Sequence, residues 1–300
     1  MATRDAEWPE LHLADWAATR DTLHMWTQIV GKIRLKLTPP DNHWWHVPLY
    51  VSSCGLTTSP IPYEGRVFEI CFDFIDHGLI IQSSDGLTKS FALKPQTVAD
   101  FYSELMSTLR SMGIDVTIYT TPSELADPIP FEKDTTHASY DPEYANRFWR
   151  ILLSSTEVFK EFKGRFIGKT SPIHFFWGSF DLAMTRFSGR RAPEREGADA
   201  ITREAYSHEV ISCGFWPGGG AINDAAFYCY SAPAPAGLDQ AQIRPDAAFY
   251  SKDLGEFILM YDDVRKSESP KQFLLDFLQS TYDVGADLAK WDRESLERRS

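Results

Sequence analysis

The densest run of chemically useful side chains is His174-Phe175-Phe176-Trp177-Gly178-Ser179-Phe180-Asp181-Leu182. A histidine titrates near neutrality, and a nearby carboxylate can orient or tune it. Read as one strand over 172–187, the run sends alternate residues to opposite faces. His174 then shares a face with Phe176, Gly178 and Phe180, while Ser179 and Asp181 lie on the other with Trp177. The strand period therefore separates His174 from Asp181. The competing account is a sheet covered on both faces, whose polar groups are hydrogen-bonded for structural reasons.

A second group is Glu204-Ala205-Tyr206-Ser207-His208-Glu209. On a strand, Glu204, Tyr206 and His208 share a face, the best local acid–base arrangement in the chain. Charged edge strands have the same appearance. The catalytic candidates are thus His174, Asp181, Glu204 and His208. A three-ligand metal site would take His174 and His208 with Glu209, or with Asp181 or Glu204 instead. Metal spacings such as H-x-H, H-x-x-x-H or C-x-x-C are absent, so the metal is the minor alternative, and no cofactor signature is found.

Candidates for holding a ligand are the rings of Trp177 and Trp216, the cations Arg186 and Arg190, and Gly218 in the loop Pro217-Gly218-Gly219-Gly220. That loop is neither a phosphate loop nor G-x-G-x-x-G; it reads as a lid or a long turn. The duller account of the arginines is a solvated loop shared with Glu194, Glu196 and Asp199. Cys213 could act as a nucleophile, but a lone Cys in an apolar strand is more often an inert core thiol.

The positioning elements follow from periodicity. A helix over about 14–37 has Trp16, Leu23, Trp26, Ile29, Val30 and Ile33 on one side, with Gly31 weakening its last turns. Strands are predicted at about 47–53, 66–74, 78–83 and 87–93, separated by turn signals that favour an antiparallel meander. A helix from Pro95 to Gly113 and a strand at 114–119 close this unit. Asp141-Pro142 caps a further helix that ends at Gly164. Strands at about 172–187, 206–215, 225–231 and 247–261 follow, the last divided near Gly255, and a helix runs over about 270–288.

This order predicts an α+β protein of two diverged helix–antiparallel sheet–helix units, with boundaries at 1–120, a linker over 121–141, and 142–300. Matches at nearly constant offset support duplication: Trp16 with Trp149, Gly31 with Gly164, and His43-Trp44-Trp45 with His174-Phe175-Phe176. Matching halves would superpose, with His43 and His174 at the start of equivalent strands and with the same strand order.

The strings 23–32 (Leu-His-Met-Trp-Thr-Gln-Ile-Val-Gly-Lys), 55–63 (Gly-Leu-Thr-Thr-Ser-Pro-Ile-Pro-Tyr), 174–183 and 214–219 (Gly-Phe-Trp-Pro-Gly-Gly) resemble a bacterial family of about this length, catalogued only as a domain of unknown function. The resemblance spans essentially the whole chain. It implies a single complete unit and carries over no activity, cofactor or catalytic residue.

Composition narrows the classes. A net charge of −12 opposes general binding to nucleic acid or to an anionic membrane surface. No apolar run approaches the roughly 18 residues of a membrane span. Four unpaired-looking cysteines and no secretory leader point to the cytosol. Aromatic rings, His174, Asp181, Arg186, His208, the glycine loop and the longer loops (188–205 and 232–246) come together in the second half. The sequence therefore favours a small-molecule-binding protein or enzyme with an aromatic pocket there. The alternative is an interaction or homodimerising module whose aromatic surface docks a partner. No reaction type follows from the sequence.

Overall fold

The computed structural model describes residues 7–298. Helix α1, Leu13–Leu37, passes through the middle of the molecule. Fourteen of its 25 residues are buried, including Gln28 and Lys32 on the side away from the apolar stripe. It is therefore a central helix covered all round rather than a surface helix with one wet face. Gly31 does not end it. A Cβ at that position would lie 2.2 Å from the Trp177 indole, so the glycine lets that ring rest on the helix.

The first sheet comprises β1 (Tyr50–Val51), β2 (Gly55–Thr57), β3 (Ile61–Tyr63), β4 (Arg66–Asp73), β5 (Gly78–Ser83) and β6 (Thr88–Ala92). All neighbours are antiparallel, in the order β1-β2-β4-β5-β6, with β3 also on β4. Alternation along β4 buries Phe68, Ile70 and Phe72 and leaves Val67, Glu69 and Cys71 outward. Helix α2, Val98–Ser111, is capped by the Thr97 side chain and buries Phe101, Leu105 and Leu109. Trp26 stacks on Phe101 with centroids 4.6 Å apart.

The expected strand at 114–119 makes no ladder. Its backbone is extended and Ile114, Val116 and Ile118 are buried, but no strand pairs with it. The apolar alternation was real; what is missing is a strand partner.

Helix α3, Pro142–Gly164, starts as expected: Asp141 accepts from the backbone N–H groups of Glu143 and Tyr144. The second sheet contains β7 (His174–Phe176), β8 (Asp181–Arg191), β9 (His208–Trp216), β10 (Ala226–Ala232), β11 (Phe249–Ser251) and β12 (Glu256–Met260). Its order is β11-β12-β10-β9-β8-β7, again antiparallel throughout. Between β8 and β9 lies the short helix α4, Ala200–Ala205. After β12 come α5 (Tyr261–Lys266), α6 (Pro270–Leu288) and α7 (Arg293–Leu296). Helices α3 and α6 bury the inner face of this sheet: Phe159 packs on Phe227, and Phe162 on Tyr282.

The fold is α+β with two antiparallel sheets, but the finer signs of duplication are missing. The strand orders differ, because β12 lies beside β10 and pushes β11 to the edge, whereas β5 and β6 follow in sequence. His43 sits in a 3-10 turn, Asn42–Trp44, with φ +54°, while His174 starts a strand. The two sheets meet edge to edge through Leu49 and Phe175, which exchange backbone hydrogen bonds of 2.9 and 2.8 Å. One continuous apolar cluster runs from Trp8 to Trp291.

Candidate functional site

The largest change from the sequence reading is in the first candidate run. Residues 172–187 are not one strand. Trp177–Phe180 turn the chain, and β7 and β8 form a hairpin that pairs His174 with Ala183 and Phe176 with Asp181. Directly paired residues share a face, so Asp181 lies on the same side as His174 after all. Phe180, at φ +58°, closes the turn.

The outer face of the second sheet is the floor of a cavity of about 800 Å3. Register explains its composition. Asp181, Ala183, Thr185 and Phe187 from β8, Val210, Ser212 and Trp216 from β9, Tyr228 and Tyr230 from β10, and Glu256 and Ile258 from β12 all point the same way. Three segments wall it in: residues 43–47 from the first half, Ser123-Glu124 from the proline-rich connection, and α4 with Tyr206.

Local packing aims three carboxyls at this space. The Tyr228 hydroxyl donates to Asp181 Oδ2. Gly214 makes this possible, since a Cβ there would lie 2.3 Å from the Tyr228 ring and 2.4 Å from the Leu182 carbonyl oxygen. No hydrogen bond of normal geometry reaches Asp181 Oδ1, although the residue is only 8% exposed. Burial pushes the Asp181 carboxyl up to about 6, against the pull of Tyr228 and nearby Ser179. Glu256 is half-buried, and desolvation, helped by the Asp181 charge, raises it to about 7.

Glu124 enters from the far side and remains accessible at the mouth. Burial of its surroundings still raises its carboxyl. Two buried polar residues of α1 hold its loop. Gln28 accepts from the Ser123 N–H at 2.7 Å and donates to the Ser123 carbonyl at 3.0 Å; Lys32 Nζ donates to Thr121 O at 2.8 Å and Ser123 Oγ at 3.1 Å. Glu124 has φ +60°, a sparsely populated conformation fixed by those anchors. Gly178 makes room for its carboxyl, because a Cβ would lie 2.2 Å from Oε1.

Of the ligand-holding candidates, Trp177 and Trp216 line the cavity, together with Phe176. Other candidates do not take part. His174 is wholly buried among Trp45, Tyr50 and Phe176, and neither ring nitrogen has a partner. Burial, with Arg34 and Lys163 nearby, lowers it to about 3, so it is neutral at physiological pH. Arg186 faces the opposite side of β8. Its guanidinium is packed between Phe162 and Tyr282, 3.5 and 4.2 Å from the ring centroids, and donates to the Phe162 carbonyl. It is a core residue, not an anion binder. Arg190 pairs with Glu209 at 2.6 Å and caps the end of α6 through the Ala289 and Lys290 carbonyls. Gly218 is a turn residue at φ +93° whose carbonyl accepts from Arg20. Cys213 is buried on the core face, with its thiol pushed well up by desolvation.

The Glu204–Tyr206–His208 strand does not form, because 200–205 is helical with Asp199 as its cap. Glu204 instead accepts from the His43 backbone N–H. His208 meets His43, with ring centroids 5.7 Å apart, and Lys169 Nζ donates to His43 Nε2 at 2.7 Å. Burial first and Lys169 second lower His43. The proposed metal set fails on direction: Glu209 follows His208 on β9 and turns to Arg190 and Ser188. Among the described residues, the one set of three potential ligands within 4.8 Å is Glu10, His12 and Asp262, which is exposed or half-exposed and paired with Arg265.

Sequence reasoning missed Glu124, Tyr228 and Glu256. Glu124 sits in a segment read as linker, and only its burial-demanding neighbours on α1 connect it to the sheet. Tyr228 and Glu256 were within strands already located, and two-residue periodicity from Ile258 would have placed Glu256 on the cavity face.

The fold and site together define an α+β protein whose second sheet carries an acidic, aromatic-walled cavity on its outer face. Residues 8–298 match the model of a family of unknown function (DUF5996), and the chain belongs to that family. Neither a curated protein nor a solved structure matches it. No helix among the described residues is long and apolar enough to cross a membrane.

Proposed function

We propose that the protein binds a small molecule on the outer face of its second sheet. The observation that carries this reading is the cavity itself. Its volume of about 800 Å3 falls within the usual range for ligand sites, and apolar rings with a few convergent polar groups line it. None of the nine Trp residues is exposed. The rings that would have made a docking surface are in the core or around this space, which supports a pocket over an interaction patch. A cytosolic setting fits the four free cysteines, with the Cys54 and Cys71 sulfurs unbonded at 3.5 Å.

A second reading, proton-transfer catalysis on the bound molecule, is favoured by one fact: Asp181 and Glu256 titrate near 6 and 7, where a carboxyl can both give and take a proton.

The test uses a neutral apolar dye, Nile red, whose fluorescence rises on leaving water. Wild type should bind it saturably at one site. Thr185→Trp, at a half-buried position in the cavity floor, should fold normally and lose that binding. Equal binding by the two proteins would overturn the proposal.

A further inference from the structure

We infer that the ligand is an organic cation, an amine or ammonium group on an apolar, ring-sized body; this rests on the cavity being a binding site. The cavity is unbalanced in charge. Asp181, Glu256 and Glu124 all border the cavity, and among the described residues that line it there is no Lys or Arg. A buried carboxylate normally finds a cationic partner or several donors. By hydrogen bonds of normal geometry Asp181 has one donor, Tyr228 on Oδ2; Ser179 lies near, but Oδ1 is buried without a bonded partner. An atom in that state is completed by a ligand that brings a proton-bearing nitrogen.

The cations nearest the cavity are already engaged. Lys32 is spent on the 121–123 backbone and Ser123. Lys169 donates to His43 and lies over Trp45 and Phe187. Arg195 lies over the Tyr206 ring, 3.9 Å from its centroid. None of them neutralises the Asp181 end.

A metal ion fits less well than an organic cation. The three carboxyls do not come within the 4.8 Å mutual spacing that marks a shared ion among the described residues. They stand on three separate elements across an aromatic floor. Hard cations want clustered oxygen ligands, whereas a soft organic cation is held by dispersed acids and the faces of Trp and Tyr. Trp177, Trp216 and Tyr228 supply such faces beside Asp181.

Binding should also release protons. In the free protein, desolvation keeps part of the Asp181 and Glu256 population neutral near pH 6–7. The other titratable groups at the cavity are Glu124, Asp199, His43, Tyr206, Tyr228 and Tyr230. Tyr228 and Tyr230, pushed well up by desolvation, stay neutral, and His43, lowered by burial, gains no charge above pH 7. A cation therefore meets a more anionic site as pH rises.

The experiment is displacement of Nile red by three indoles of nearly equal size: tryptamine, a cation; tryptophol, neutral; and indole-3-propionate, an anion. Tryptamine should bind about tenfold or more tightly than tryptophol at pH 8, since a charge-assisted hydrogen bond is at stake. That preference should shrink at pH 5. Asp181→Asn should bring the two affinities together, chiefly by weakening tryptamine. Glu256→Gln should narrow the ratio too, and serves if the first variant folds poorly. Equal binding of tryptamine and tryptophol, no displacement by tryptamine, or tightest binding of the propionate, each with dye binding intact, overturns the cation assignment and leaves the pocket standing. Failure of wild type to bind the dye removes both.

Discussion

The two sheets are built alike on one side and differently on the other. Each buries an inner face of alternate apolar residues under helices: Phe68, Ile70 and Phe72 in the first, Phe215, Phe227 and Leu259 in the second. The outer face of the first carries Glu69, Cys71, Cys54 and Thr57, with the Thr57 hydroxyl satisfying Glu69. It is an ordinary wetted surface with its acid partnered. The outer face of the second carries rings and a buried acid that is half-satisfied, beneath walls from three other segments. A sheet needs only one buried face to fold. What the second sheet does with its other face is a property of α4, the 43–47 turn and Glu124, which the sheet itself does not require.

That contrast can be broken most forcefully at Arg186, which decides which face of β8 is core. Arg186→Ala removes a buried cation packed on two rings and strands the Phe162 carbonyl. It should cost about 3 kcal/mol in urea unfolding, while Arg186→Met, close in volume, should cost much less. Dye binding by the folded fraction should stay at the wild-type level. A selective loss of binding would place Arg186 on the cavity face and contradict the register.

The next effect is at Asp181 and depends on pH. Its folded pKa is raised above the unfolded value of 3.8, so between about pH 4 and 6 the native state holds more protons than the unfolded. Stability from this residue is therefore lost as pH rises through that window. Asp181→Asn should match wild type near pH 4 and exceed it by on the order of 2 kcal/mol at pH 8, read as a widening gap in Tm. A constant gap would mean that Asp181 is not desolvated.

Arg190 gives a smaller result. Exposed, paired with Glu209 and capping α6, it should contribute about 1 kcal/mol, lost in Arg190→Ala and reduced at high salt. Nile red affinity should not move. Smallest of all is Glu69→Gln on the first sheet, expected to change stability by about 0.5 kcal/mol or less and to leave both dye and amine binding untouched.

Much of the frame could be read from the chain. The helices, the Asp141-Pro142 start, the break near Gly255 and the antiparallel sheets all followed from local periodicity and capping. The α+β class followed too. What escaped were features fixed by distant neighbours. The hairpin at Trp177–Phe180 has turn residues that look like strand formers, since Gly178 is there for Glu124 and Trp177 for Gly31. Helix α4 replaced a predicted strand start because Asp199 and Thr202 form a cap within a charged stretch. Residue types singled out Asp181, Trp177 and Trp216, which line the cavity, but Glu124 and Glu256 join them only through tertiary packing. His174 was attractive by type, and burial among rings removed it.

The central claim is that the half-satisfied acid on the second sheet is where a ligand's positive end belongs. A crystal structure of the protein grown with tryptamine addresses it most directly. The ammonium nitrogen should lie within about 3 Å of Asp181 Oδ1, with the indole against the cavity rings. An indole seated elsewhere, or one in the cavity with its ammonium turned to solvent and Oδ1 still bare, would contradict it.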